Sequence, residues 1–179
     1  IDWYTADMYS SKGKVVYTDD GGDTWHIGDE FGTDEYWPNE SQAVQLKNGS
    51  IFINSRTGRN DSYYRLGSLS NDGGNTFIQT DYIKQLRDTS GGCEGSMIYV
   101  KSNDNIYYSG VTPSAETSTR ENLTLHYSED QGNNWKYMVR VETSATGYSS
   151  LVGLPTKGRI GILYERDSYH YLTYKNYTI

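Results

Sequence analysis

An eight-residue pattern that recurs three times constrains this chain more than any other feature. Thr18-Asp19-Asp20-Gly21-Gly22-Asp23-Thr24-Trp25, Ser70-Asn71-Asp72-Gly73-Gly74-Asn75-Thr76-Phe77 and Ser128-Glu129-Asp130-Gln131-Gly132-Asn133-Asn134-Trp135 share the form S/T-x-D-x-G-x-x-W/F. The copies begin 52 and then 58 residues apart, and a fixed spacing in this range marks a repeat architecture. The pattern has a physical reading. An Asp in a tight turn accepts hydrogen bonds from nearby backbone N–H groups. The Gly supplies a positive φ, and the aromatic tucks under the turn and pins it to a sheet. Such a unit is a hairpin corner and does no chemistry.

Short alternating runs separate these corners. Ala43-Val44-Gln45-Leu46 faces Ile51-Phe52-Ile53-Asn54 across Asn48-Gly49, a hairpin signal. Ser96 to Val100 faces Ile106 to Ser109, and Ser149 to Leu154 faces Arg159 to Tyr164 across Lys157-Gly158. Each period therefore holds about four strands, the content of a β-propeller blade. One short helix-like turn is expected near Ile83 to Arg87. With 19 Gly, 18 Tyr and only 3 Pro, composition favours β structure with many turns. No linker or low-complexity tract divides residues 1–179. At this repeat length the chain holds about three to three and a half blades, too few for a closed ring. An open part-ring exposes sheet edges, so a companion chain or segment is expected to supply the missing blades. The opening Ile1-Asp2-Trp3-Tyr4 has no Met and no signal-peptide pattern, and reads as the interior of a longer or processed chain.

Charge narrows the partners. A net charge of -7 leaves no basic stripe for nucleic acid, and an anionic substrate would need a local cluster of Arg. The single Cys93 rules out an intrachain disulfide and reads as a small buried hydrophobe. No apolar stretch approaches the roughly 20 residues that span a bilayer. Five N-x-S/T sequons, at Asn39, Asn48, Asn60, Asn122 and Asn176, give weak support for a secreted or cell-surface protein. His26, His126 and His170 lack metal-ligand spacing, and no cofactor is expected.

The repeated turn is similar to the Asp box, or BNR repeat, of the sialidases, which other families also share. The segments between the boxes resemble sialidases more specifically. They are Asn39-Glu40-Ser41-Gln42 followed by Ile53-Asn54-Ser55-Arg56, and then Gly92-Cys93-Glu94-Gly95-Ser96, where Glu stands for the usual Gln. Arg120-Glu121-Asn122-Leu123-Thr124, Gly147-Tyr148-Ser149-Ser150-Leu151 and Gly161-Ile162-Leu163-Tyr164-Glu165 follow in the family's order. The resemblance implies an all-β fold, the C-terminal part of a six-bladed propeller with Asp-box turns. It implies an exo-sialidase that removes terminal sialic acid from glycans with retention. In that scheme Tyr148 is the nucleophile, Glu40 its base, and Arg56 and Arg120 clamp the substrate carboxylate. A Tyr nucleophile suits this sugar, because a carboxylate would be repelled by the one on its anomeric carbon. Glu165 is expected to orient a third Arg outside this chain, and so to be unpaired within it. The acid/base Asp is also expected outside, since Asp2 and Asp7 lie too close to the first box. Arg59 competes with Arg56 for its role, and Tyr36 and Trp37 are candidate pocket walls. The alternatives are a trans-sialidase using the same residues, a sialoglycan-binding propeller without catalysis, and a receptor-type scaffold.

Overall fold

The computed structural model describes residues 2–4 and 11–179, all of it strand, turn and loop. Four antiparallel sheets follow one another along the chain. The first contains β1 (Asp2–Tyr4), β2 (Ser11–Tyr17) and β3 (His26–Phe31). The second orders β4 (Pro38–Gln45), β5 (Ile51–Thr57), β6 (Tyr64–Ser70) and β7 (Gln79–Arg87). The third orders β8 (Ser96–Val100), β9 (Asn105–Val111), β10 (Leu123–Ser128) and β11 (Lys136–Arg140). The fourth contains β12 (Thr146–Gly153), β13 (Arg159–Arg166) and β14 (Tyr171–Thr178). Two full meanders flanked by two three-stranded sheets make a partial propeller. The first strands of successive sheets, β4, β8 and β12, lie side by side.

Strand alternation builds the core between sheets. On β9, Ile106 and Tyr108 join a cluster with Val44, Phe52, Met97 and Trp135 on the second-sheet side. Tyr107, between them, turns to the opposite face and joins Leu125, Leu151, Ile160 and Ile162. Period-2 alternation therefore lets one strand cement two interfaces. Each fully buried Ile or Leu there contributes roughly 1.5–3 kcal/mol.

All three boxes adopt one hydrogen-bond geometry. In the second, Gly74 N–H donates to Ser70 Oγ (2.8 Å), Thr76 N–H to Asp72 Oδ1 (2.8 Å), and Thr76 Oγ1 to Asp72 Oδ2 (2.6 Å). The same set recurs around Asp20 and Asp130, with Asn134 Nδ2 replacing the Thr hydroxyl in the third. The Thr24 hydroxyl and N–H pull the Asp20 carboxyl far below the usual carboxylate range. The aromatics differ. Trp135 is 6% exposed and packs on Phe52 of the preceding sheet, and Phe77 packs on Phe31 of its preceding sheet. Trp25 still tucks against its own turn, its Nε1 donating to the Gly22 carbonyl (3.1 Å) as Trp135 Nε1 does to Gly132 (3.0 Å), but among the described residues no sheet covers its outer face and it is 63% exposed.

The segment Ile83 to Arg87 is strand and not a helical turn. It pairs with β6 as Arg65↔Ile83 and Tyr64↔Arg87, a large bulge that stores the extra residues. The bulge lets Ile83 and Leu86, three positions apart, both point into the core, which is why the local spacing imitates a helix.

Candidate active site

Glu40 and Arg56 approach from paired strands. Glu40 lies on β4 at a bulge between Pro38 and Ser41, opposite the end of β5 that carries Arg56. Arg56 donates from Nη1 to Glu40 Oε2 (2.8 Å) and from Nε to the Gly91 carbonyl (2.8 Å). Only glycine fits beside this arginine. Gly92 has φ +66°, and a Cβ there would stand 2.6 Å from Arg56 Cγ.

Tyr148 arrives from the fourth sheet. On β12 the register with β13 slips between Thr146 and Ser149, a bulge that sets Gly147 and Tyr148 against Glu165 and re-aims the tyrosine. The hydroxyl of Tyr148 donates to Glu40 Oε1 at 2.5 Å, across 108 positions of sequence. Gly147 makes this possible, since a Cβ there would meet Glu165 Oε2 at 2.4 Å and the Tyr169 ring at 2.5 Å. Arg120, just ahead of β10, places its guanidinium 5.6 Å from the Tyr148 ring centre. Its carbonyl accepts the Thr146 N–H (3.1 Å), tying its backbone to the start of β12.

The electrostatics divide the pair into acid and base. Burial pushes the Glu40 carboxyl up, but the Tyr148 hydroxyl, the Arg56 hydrogen bond and charge, and the Arg120 charge outweigh it. Glu40 is therefore held below the usual carboxylate range. The hydrogen bond to Glu40, with burial and the Glu40 charge, raises the Tyr148 phenol despite Arg56 and Arg120. At neutral pH the pair is a neutral phenol donating to a carboxylate, already in hydrogen-bond reach for general-base transfer.

Glu40, Arg56, Arg120, Tyr148 and Glu165 lie together in one cluster. Glu165 Oε2 accepts the Tyr148 N–H at 2.9 Å, and among the described residues no Arg or Lys forms an ion pair with it. Arg59 turns away. It forks onto Asp61 through Nε and Nη2 and lies 5.0 Å over Trp37. Tyr36 stacks edge-on against Tyr82, so neither aromatic touches the Tyr148 cluster in these contacts. Cys93 is buried as expected, its thiol pushed up to about 12 by that burial. His126 is buried beside Thr124, and desolvation lowers it to about 4. Asp7 and the side chain of Asp2 lie outside the described residues. Among the described residues no His, Cys, Asp and Glu group has the arrangement of a metal site.

Sequence reasoning missed Tyr169 and the part played by Glu94. Tyr169 follows Asp167 and Ser168 in a run of three left-handed residues, φ 54°, 52° and 70°, and is among the groups that keep the Arg120 guanidinium charged against the opposing effect of burial. A turn of three non-Gly positive φ values carries no sequence signature. Glu94 accepts the Ser149 N–H at 3.0 Å. Beneath it Arg65, fully buried, pairs with Asp88 at 3.2 Å and donates to Asn54 at 2.8 Å. Asp88 also accepts the N–H groups of Thr89 and Cys93, which with Arg65 oppose the upward push of burial on its carboxyl.

Comparison with known proteins identifies the family. A family model described as a BNR repeat-like domain matches residues 7–162. A sialidase of Micromonospora viridifaciens is 28% identical over 84% of this chain and 23% of its own length. An anhydrosialidase of Macrobdella decora is 30% identical over 88% of this chain and 22% of its own. The chain thus spans less than a quarter of the length of these two relatives, and 41% of a Paraclostridium sordellii sialidase that it also matches. Among solved structures, the intramolecular trans-sialidase of Ruminococcus gnavus superposes with a TM-score of 0.70 at 26% identity, covering 92% of this chain and 37% of that one. The chain belongs to the BNR repeat-like domain family, and its named relatives here are sialidases and their trans-sialidase kin.

Proposed function

We propose that this chain is the C-terminal, nucleophile-bearing part of a retaining exo-sialidase acting on sialylated glycans. The observation that carries the reading is the 2.5 Å hydrogen bond from Tyr148 Oη to Glu40, flanked by the Arg56 and Arg120 guanidiniums. In the reaction Tyr148 Oη attacks the anomeric carbon and its proton passes to Glu40. The bond to the departing alcohol breaks, and that oxygen takes a proton from an acid supplied outside the described residues. Water then cleaves the Tyr–sugar bond, a second inversion that restores the starting configuration. Arg56 and Arg120 grip the sugar carboxylate, whose planar fork a guanidinium matches.

Two open flanks support the companion-blade reading. Trp25 and Ile27 are 63% and 72% exposed on the first sheet, and Leu172 is 71% exposed on the last. These are the faces that neighbouring blades would cover in a closed ring.

The test is kinetic, on the intact protein with its remaining blades. Tyr148→Phe keeps the ring and removes the nucleophilic oxygen, so turnover of a fluorogenic sialoside should fall at least about 10³-fold. Wild-type turnover in that variant ends the assignment. A pH profile sharpens it. Glu40 must be ionised to take the proton, and its depressed pKa keeps it so below the ordinary carboxylate range. Activity is then present above that lowered pKa and lost as pH falls through it. Arg56→Gln removes the neighbouring charge and should move the acid limb of kcat to higher pH; an unmoved limb breaks the link between Arg56 and Glu40.

Intramolecular transfer is the second reading, favoured by the likeness to the Ruminococcus gnavus trans-sialidase. It uses the same Tyr148 intermediate, captured by a hydroxyl of the sugar itself. The released sugar would then be one water lighter, which mass spectrometry of the product decides.

A further inference from the structure

Two consecutive backbone N–H groups at the β12 bulge donate to side-chain carboxylates. Tyr148 N–H donates to Glu165 of β13, in its own sheet. Ser149 N–H donates to Glu94, from the segment leading into β8 in the neighbouring sheet. Two residues further along, Leu151 N–H donates to Ser96 Oγ at 2.9 Å. The seam continues, because Ser96 Oγ donates to Gln42 Oε1 at 3.1 Å and Met97 N–H donates to the same oxygen at 2.7 Å. Glu40 and Gln42 on β4, Glu94 and Ser96 at β8, and Ser149 and Leu151 on β12 thus step together at the two-residue period of a strand.

That seam matters because the first strands of the three sheets meet through it. The Tyr148–Glu40 contact spans from the fourth sheet to the second and has no covalent or β-ladder connection of its own. Glu94 is the member of the seam next to Tyr148 in register. We propose that Glu94 is a positioning residue for Tyr148: by accepting the Ser149 N–H it fixes the bulged backbone so that the phenol reaches Glu40. The inference rests on the reading of Tyr148 as nucleophile.

What the position needs is an acceptor oxygen, and a charge is not required. Burial pushes the Glu94 carboxyl up, and the charges of Glu40 and Glu165 add to this, while the Ser149 N–H and Arg65 pull it down. Either form of the group, carboxylate or acid, presents an oxygen to Ser149. A glutamine keeps that oxygen.

The experiment uses full-length protein carrying Glu94→Ala or Glu94→Gln. Amide hydrogen exchange of the peptide containing Ser149 is read first, independently of any activity. It should quicken about tenfold or more in Glu94→Ala, as a local opening made easier, and stay at the wild-type rate in Glu94→Gln. Kinetics on a fluorogenic sialoside come second. Glu94→Ala should lower kcat roughly 10- to 100-fold, the scale of a misplaced reacting group, with KM within about twofold, and Glu94→Gln should restore kcat. Unchanged exchange, unchanged kcat in Glu94→Ala, or a glutamine variant as impaired as the alanine one overturns the proposal. A wild-type protein that does not cleave the sialoside refutes the functional reading instead, and the exchange arm still decides whether Glu94 holds β12.

Discussion

Each box turn closes on itself within eight residues, whereas the Tyr148 cluster draws on three sheets and on residues 108 positions apart. In a box the Asp carboxylate finds its donors four residues on, in backbone and side chain alike. The turn is therefore made locally and can be copied, and it occurs three times with the same bonds. The site exists once. Its donors and acceptors meet only after β4, β5, β10 and β12 are stacked, so its geometry inherits every error in that stacking. Boxes hold structure and the site does chemistry, and substitutions should separate the two.

The largest effect on the structural side is expected at Trp135. Its ring packs against Phe52 and edge-on against Tyr108, joining the second sheet to the third. Trp135→Ala should cost about 3–5 kcal/mol of stability, measured by denaturant unfolding of the intact protein. kcat per folded molecule should stay near wild type, because the ring does not touch the Tyr148 cluster. A loss of kcat without a loss of stability would erase the division between corner and site.

On the chemical side, Arg120→Lys preserves charge and removes the fork. Affinity for a sialic-acid-like inhibitor carrying the carboxylate should weaken by about 1.5–3 kcal/mol, the scale of a hydrogen bond to a charged group, while the unfolding midpoint hardly moves. Calorimetric titration checks it. An unchanged affinity refutes the clamp, and a large shift in stability would make Arg120 a structural residue.

The same contrast explains what the sequence could disclose. The boxes were legible because their partners sit within one short window, and Asn48-Gly49 announced the β4–β5 hairpin for the same reason. Ile83 and Leu86 misled because a bulge against β6 lets a strand bury residues three apart. No local pattern could separate Tyr148 from 17 other tyrosines; only resemblance singled it out. Glu94 stood out merely as a Glu in an unusual place, since its partner is a backbone N–H of another sheet. Tyr169 was invisible, because its position depends on three left-handed residues that none of Asp167, Ser168 or Tyr169 demands. The box pattern foretold the contact of Trp25 with its own turn, but not its exposure, because that depends on a neighbouring sheet and not on the box.

The smallest effect tests how closely the boxes are copies. Gly21 and Gly73 occupy the left-handed position of the first two boxes at φ 78° and 76°, and the third places Gln131 there at φ 63°. An L-residue in that conformation costs about 1–2 kcal/mol, whereas glycine adopts it freely. Glycine also has more unfolded freedom to lose, about 0.4–1 kcal/mol in the opposite direction. The strain is the larger quantity, and Gln131 is exposed, so little packing is forfeited. Gln131→Gly should therefore stabilise the protein by about 0.5 kcal/mol, seen as a higher unfolding midpoint with unchanged kcat. A lower midpoint would mean that the glutamine side chain contributes something in the third box that the two glycine boxes lack, and the turns would then be related in shape without being interchangeable.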